Sequence, residues 1–582
     1  MKHLPRIVAV AASLALSASA AAAQTAPPAE LAGLWYARRD FGPEVAGRLV
    51  VDRANGGWRS AIAGRAAAVR VVGDTVAFTL PDSSGAFTGR FDARRSRIAG
   101  HWLQPRTVAS GNRFATPLVL DRCGTDCFAG EVIPAHDELS FYIPARRRAD
   151  GSFGAFLRNP ERNLGIFVRL ARIDADSSGE VRLLDARDSV LFRGALRDGV
   201  MTIYIPGRGG SYDFRRVPEG AFTFFYPRGR PTAGYEYAPP RPRDDGWPVG
   251  TLDEAGISRE RISAVIDSLI DSPSDSIGAH RLHALLIARH GRLVLEEYFH
   301  GADADLPHET RSASKTMTTV LVGAAMQAGM KVGPATPVYA TLRPGATGLD
   351  ARKRALTLEH LLTMSSGYDC EDSGERPGDE DVITQQEENP DWTGMILDLD
   401  LIRAPGDSAV YCSINPHLAG VVLSRATGRW LPDLWHELVA EPLQMRRYHI
   451  PLAPLGDAYQ GGGWRIRTRD FMKLGQVYLD GGTWHGRRIV SREWVRRSTE
   501  PRYPMGSRAR YGYLWWTTDY PYAGRTVRAY YATGNGGQIM MVIPELDLVI
   551  GANGGNYNDR ATGRTVLELI PRFILPAVAE DG

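Results

Sequence analysis

Apolar and polar positions divide the chain into two textures. From about Leu31 to Asp121 the period is two: Val76, Phe78 and Leu80 alternate with Thr75, Ala77 and Thr79. Phe87 and Phe91 flank Gly89, and Ile98 precedes Gly100 and Trp102. Short alternating runs broken by Gly, Asn and Asp predict a small antiparallel barrel or sandwich. Gly33-Leu34-Trp35 reads as its opening strand, with the Trp plugging one end. A second alternating stretch follows, with Leu139, Phe141 and Ile143, then Phe153, Ala155 and Leu157, then Met201, Ile203 and Ile205. The two stretches share length and texture without a clean repeat, and neither clusters titratable residues as catalysis requires. Binding a substrate, contacting a partner and bracing the rest stay open as their roles.

Past Pro239-Pro240-Arg241-Pro242-Arg243, a stiff proline-rich linker, the texture changes. Ser258 is placed as a helix N-cap, with Ile262, Val265, Ile266 and Leu269 at helical spacing behind it. Leu282 to Ala288 and Leu293 to Tyr298, split by His290-Gly291-Arg292, predict a β-hairpin. Helical patterns then dominate to about Gly428, and strands return from Tyr511 to Ala552. A last helix is predicted from about Thr562 to Leu575. Strands at both ends of a helical middle describe an α/β domain with an inserted all-α lobe. The fold class is therefore multidomain. The divisions are 1–23, 24–122 (β-barrel-like), 123–234 (β-rich), 235–251 (linker) and 252–582 (α/β with the all-α lobe).

Residues 1–23 have the form of a secretory signal peptide: a basic start at Lys2 and Arg6, an apolar run from Ile7 to Leu16, and Ala21-Ala22-Ala23 before Gln24. No later run reaches spanning length, so a periplasmic or secreted protein without a membrane span is expected. The net charge of +3 is spread among carboxylates and makes no case for nucleic acid. In an oxidising compartment, the four cysteines allow two disulfides. The preferred connectivity joins Cys123 to Cys127 and Cys370 to Cys412, and separate buried thiols are the alternative.

The candidate chemistry begins at Arg311-Ser312-Ala313-Ser314-Lys315, where an otherwise apolar or small-residue helix starts. Residues three apart share a helix face, so Ser312 and Lys315 can meet. Burial disfavours an ammonium, which predicts a lowered pKa for Lys315 and help in deprotonating the serine. Of 69 Lys plus Arg only five are lysine, and arginine cannot be deprotonated in that role.

Two further segments carry a family resemblance. Pro405-Gly406-Asp407 leads to Tyr411-Cys412-Ser413, and Gly534-Asn535-Gly536-Gly537-Gln538 enters a late strand. In order and spacing the three segments resemble the serine β-lactamase and penicillin-binding-protein superfamily, in its class C β-lactamase-related hydrolase branch. The resemblance covers about Leu252 to Ala577. It implies an exported serine hydrolase that cleaves an ester or amide through an acyl-enzyme, as an esterase or a peptidase or amidase does. Ser312 would be the nucleophile, Lys315 would share its proton, and Tyr411 would act as base and then acid. The backbone N–H groups of Ser312 and Gln538 would form the oxyanion hole. Ser413, Asn535, Gly536 and Gly537 would face the substrate.

The family pattern has Lys or His where Asn535 stands and Asn where Ser413 stands, so efficient β-lactamase activity is not expected. These departures motivate a second reading, a weakly active or non-catalytic acyl-binding sensor of the cell envelope. A third makes the β modules a binding unit with a hydrolase attached. The acidic stretch from Glu371 to Glu388 reads as a solvated loop in preference to a wall of the cleft. No histidine spacing matches a metal motif, so neither metal nor cofactor is expected. A small-molecule or peptide-like ester or amide is the expected partner. Trp392, Trp464, Tyr511 and Trp515 are candidates for the pocket wall, with core packing the equal alternative.

Overall fold

The computed structural model describes residues 30–579 except 55, 221, 230–233, 373–374 and 560–564. The signal-peptide reading of 1–23 lies outside the described residues, and so does the start of the last helix; Thr565–Leu569 and the turns after it are described. Two disulfides form, Cys123–Cys127 and Cys370–Cys412, which is the preferred connectivity. Among the described residues no helix is long and apolar enough to cross a membrane.

Two antiparallel β units precede the C-terminal unit, as the alternation predicts. In the first, Cys127–Val132 pairs with both Gly47–Ala54 and Arg113–Gly124, so the sheet closes on itself. Leu49, Val76, Phe87, Ile98 and Trp102 fill it. The second is a closed eight-stranded barrel from Asp137–Arg147 to Gly210–Val217. Its eighth strand is Gly33–Gly42, which pairs with Asp137–Arg147 on one side and Gly210–Val217 on the other. This corrects the reading of Gly33-Leu34-Trp35 as the opening of the first unit. Alternation specifies that a strand has an inner face but not which sheet receives it, and Trp35 is buried with Phe141, Ile143 and Phe214 in the second barrel.

The C-terminal unit is built on an eight-stranded antiparallel sheet. Its hairpin Leu282–Arg289 and Arg292–Tyr298 joins Leu548–Gly554, followed outward by Gln538–Ile543, Arg525–Gly534 and Trp516–Tyr522. Leu282–Arg289 and Gln538–Ile543 are buried on both faces, because helices cover both. Arg259–Ile270 and the C-terminal turns pack on one side. Lys315–Gln327 and Thr468–Leu479 pack on the other, beneath the helical lobe. The helix Lys315–Gln327 is buried from Lys315 through Ala325, as a segment apolar or small nearly all round requires.

The β units are joined to this core. Arg113–Gly124 pairs with Tyr448–Leu452, with Ile450 opposite Ala115, so one sheet runs from the first β unit into the C-terminal unit. Thr116 and His449 add a buried 2.8 Å hydrogen bond across that seam. The proline-rich segment is seated rather than free: Trp247 is buried against Trp484, and Asp245 is ion-paired with the buried Arg469 at 2.6 Å.

Candidate active site

Ser312 sits in a single 3₁₀ turn, Arg311–Ser314, that runs straight into the buried helix. The residue before it, Arg311, holds a left-handed φ of 49°, a strained conformation for a non-glycine residue. Its surroundings over-determine it. The Arg311 carbonyl accepts from the Gly463 N–H at 3.2 Å, its guanidinium lies 4.3 Å from the Tyr557 ring centre, and Glu309 is 2.9 Å from its Nε. One step earlier, the N–H and hydroxyl of Thr310 both donate to the Trp464 carbonyl, at 2.8 and 2.9 Å.

Two glycine backbones press on this turn. A Cβ on Gly534 would fall 2.3 Å from the Thr310 carbonyl oxygen and 3.0 Å from the Ala313 nitrogen. On the other side, a Cβ on Gly462 would meet Arg311 and the Ser312 nitrogen at 3.3 to 3.5 Å. Glycine is thus what lets the strand Arg525–Gly534 and the Gly461-Gly462-Gly463 loop flank the serine.

Lys315 is 1 % exposed and donates from Nζ to Ser312 Oγ at 2.9 Å. It also donates to the Gly461 carbonyl and lies 4.9 Å from the Tyr411 ring centre. Its electrostatics differ from the sequence reading. Burial does push the ammonium toward neutrality, but Tyr411, Glu380 and Asp372 together outweigh it and hold the pKa above its ordinary 10.5. Lys315 is therefore a buried cation. Scarcity did not single it out either, because Lys473 is equally buried and bonds Asp470 at 2.7 Å within the core.

The two carboxylates come from the acidic stretch read as a solvated loop. Ser413 donates its N–H to Asp372 at 3.0 Å, and its hydroxyl to Asp372 at 2.5 Å and to Glu380 at 3.1 Å. Tyr459 also donates to Glu380. Burial, followed by the repulsion of Asp372, raises the Glu380 pKa against the pull of Lys315. Ser413 is thus committed to anchoring this acidic pair behind Lys315. Glu380 lines the cleft, which corrects the loop reading for that residue.

Tyr411 is partly exposed, and its ring packs against Trp516 at 5.5 Å and Tyr511 at 6.2 Å. The adjacent Cys412 ties this segment to Cys370. Gln538 opens its strand opposite Gly534. Its side chain turns inward, donating to the Gly554 carbonyl at 2.6 Å and accepting from Asn553 at 2.9 Å, so the side chain is committed to the core. Asn535 lines the cleft and exchanges two hydrogen bonds with Asn558, at 2.7 and 2.8 Å. Gly536 and Gly537 have φ of 94° and 101° and shape the turn between the paired strands. Trp392 lines the cleft, whereas Trp464 and Trp515 are core residues and Tyr511 is buried beside Tyr411. Among the described residues no three His, Cys, Asp or Glu side chains converge as metal ligands.

The cleft encloses about 820 Å³ and is not built by the C-terminal unit alone. Arg106 and Arg113 reach it from the first β unit and Arg162 from the second. Arg311 lines it too; Glu309, in the same lining, pairs with Arg311 at 2.9 Å and Arg162 at 3.6 Å, while Glu380 and Glu387 of the helical lobe lie among the other lining residues. Sequence reasoning missed the three arginines, the acidic pair and the triple glycine. Only the glycines left a signal, three in a row between Tyr459 and Trp464.

A serine, a buried lysine and a tyrosine gathered on this sheet agree with what comparison finds. Residues 274–567 match the beta-lactamase family model. The chain belongs to the beta-lactamase family. It is 28% identical over 261 residues to the 6-aminohexanoate-dimer hydrolase of Paenarthrobacter ureafaciens, covering 43% of this chain. The chain spans 64% of that curated relative's length. Among solved structures, a family VIII carboxylesterase is 20% identical with a TM-score of 0.42, covering 55% of this chain and 98% of that one. A penicillin-binding protein homolog from Caulobacter crescentus is 16% identical with a TM-score of 0.42, covering 53% and 97%.

Proposed function

We propose that this beta-lactamase family member is an exported serine hydrolase that cleaves an ester or amide through an acyl-enzyme on Ser312. The observation that carries this is the 2.9 Å hydrogen bond from the buried Lys315 ammonium to Ser312 Oγ, with Tyr411 beside it. In this reading Ser312 Oγ attacks the substrate carbonyl and its proton passes to Tyr411, while Lys315 stays charged and orients both. The oxyanion forms against the backbone N–H groups of Ser312 and Gln538. Tyr411 then returns the proton to the leaving group, and water hydrolyses the acyl-enzyme by the reverse sequence. Export is supported by the form of residues 1–23 and by the two disulfides.

Cleft charge narrows the substrate class. Asn535 supplies no cation where the family pattern has one, and it is held by Asn558. Arg106 and Arg113 supply positive charge from another wall, where Arg162 and Arg311 are paired with Glu309, and Glu380 and Glu387 are also in the cleft. A short amino-acid-derived amide with a carboxylate on one side of the scissile bond suits this lining better than a β-lactam. The Paenarthrobacter relative is named for a 6-aminohexanoate dimer, which lies within that class.

The test is turnover of a short-chain p-nitrophenyl ester and labelling by a fluorophosphonate, compared with Ser312→Ala. Both signals are expected in the parent and neither in the variant. Turnover unchanged by the substitution overturns the mechanism, and absence of turnover in the parent favours an acyl-binding sensor.

A further inference from the structure

Behind the cleft, between the second barrel and the C-terminal unit, lies a separate cavity of about 420 Å³. That size falls within the range of small-molecule sites. Its mouth is marked by exposed side chains of Arg38, His136 and Leu306. Arg281, His283 and His300 line it, Arg281 buried and the two histidines half-buried. Arg162 and Glu309 line both this cavity and the cleft, and form the partition between them.

Arg281 is 3% exposed, yet none of its three guanidinium nitrogens has a hydrogen-bond partner among the described residues. A buried, unpaired guanidinium is costly and rare. Every carboxylate lining the cavity is already engaged. Glu161 accepts from Ser140 at 3.2 Å and from Asn159 at 2.5 Å, Glu309 serves Arg311 at 2.9 Å and Arg162 at 3.6 Å, and Glu138 pairs with Arg38. Asp559 acts on Arg281 only through space. Arg158, also buried and lining the cavity, donates to three backbone carbonyls and has no counter-ion in contact.

No histidine nitrogen hydrogen-bonds Arg281. His308 Nδ1 donates to the Glu309 carbonyl at 3.0 Å, which leaves its Nε2 to accept from His283 Nδ1 at 2.8 Å. Both rings are then neutral, in keeping with the burial that holds both below the usual histidine range. The lining also includes Tyr142, Phe224, Leu306, Pro307 and Ala302, an apolar portion beside the paired charged side chains. The cavity therefore offers one unfilled two-pronged donor and, in the same lining, hydrocarbon surface.

We propose that this cavity binds an organic carboxylate, with its head on the Arg281 guanidinium and its apolar body along Tyr142, Phe224 and Leu306. A guanidinium fork matches a carboxylate in a bidentate pair. A bound ligand would touch both the second barrel and the C-terminal unit, and would abut the Arg162–Glu309 partition beside the Ser312 turn. This site is independent of the acyl-enzyme reading and stands or falls separately from it.

Calorimetric titration of the full chain with octanoate tests it, with octanol and inorganic phosphate as the other arms. Octanoate is expected to bind with one site, and octanol and phosphate are not. Arg281→Met is expected to weaken octanoate at least ~30-fold, the scale of removing one member of a buried charge pair. Because Arg281 has no partner to lose, the same variant is expected to melt no lower than the parent without ligand, and octanoate should raise the melting temperature of the parent alone. Absence of octanoate binding, equal binding by Arg281→Met, or phosphate binding in place of octanoate overturns the proposal. So does a fall in the ligand-free melting temperature of Arg281→Met, which would make the guanidinium a structural group.

Discussion

Gly534 runs so close to Thr310 that a Cβ on it would sit 2.3 Å from the Thr310 carbonyl oxygen. The late strand is thereby held against the turn that carries Ser312, with Gln538 opposite on the next strand. Gly534→Ala must push strand and turn apart, because the clash is with backbone. Displacement of about 1 Å in a catalytic constellation costs on the order of 100-fold. We expect kcat/KM for a p-nitrophenyl ester and the rate of fluorophosphonate labelling to fall by about that factor, while circular dichroism keeps the parent's spectrum.

In the proposed mechanism Lys315 acts in its charged form. Its pKa lies above the ordinary 10.5, because Tyr411, Glu380 and Asp372 outweigh burial. The sign follows: any stability this ammonium confers is complete below pH 10.5 and is lost only as pH rises through its higher folded-state value. The pH–rate profile between about pH 6 and 9 is therefore expected to carry no limb from Lys315. Lys315→Met is expected to reduce acylation about 10³-fold, measured by burst kinetics. A limb near neutral pH that disappears in Lys315→Met would contradict the charged form.

If the cleft reads substrate charge as proposed, Arg106 and Arg113 give the first β unit a part in selectivity. Arg106→Ala combined with Arg113→Ala is expected to raise KM about tenfold, ~1.4 kcal/mol, for an amide that bears a carboxylate. KM for a neutral p-nitrophenyl ester should stay unchanged. Equal effects on both substrates would show that the pair shapes the cleft without reading charge.

Cys370–Cys412 closes a span of 42 residues beside Tyr411. The chain-entropy view assigns such a loop about 4 kcal/mol. The double variant Cys370→Ser, Cys412→Ser is expected to lose stability of that order in urea unfolding. It should also lose kcat more than KM, since the bond fixes Tyr411 rather than the cleft walls.

Expression of residues 252–582 alone is expected to give an aggregating or inactive product. Without Arg113–Gly124, the strand Tyr448–Leu452 loses a partner and becomes an exposed edge. A well-folded, fully active fragment, judged by size-exclusion chromatography and ester turnover, would count against a role for the β units in the site.

The sequence by itself determined the local elements and marked Ser312 and Lys315 as the candidate pair. Period-two alternation marked the β units, an unbroken apolar run marked the buried helix, and helical spacing joined Ser312 to Lys315. Each of these signals is short-range, since side-chain direction follows from backbone period. The Cys123–Cys127 pairing and the glycines of Gly534–Gly537 were legible for the same reason. Tertiary structure alone decided which sheet receives Gly33–Gly42, because either closed unit can bury its inner face. It alone brought Arg106, Arg113 and Arg162 to a cleft some 150 to 200 residues away in sequence. The charge of Lys315 was likewise beyond the sequence. Burial could be read from the helix, but the answering carboxylates, Asp372 and Glu380, come from a loop that composition marked as solvated. Electrostatic balance at a buried site is set by distance through space, which a linear pattern does not encode.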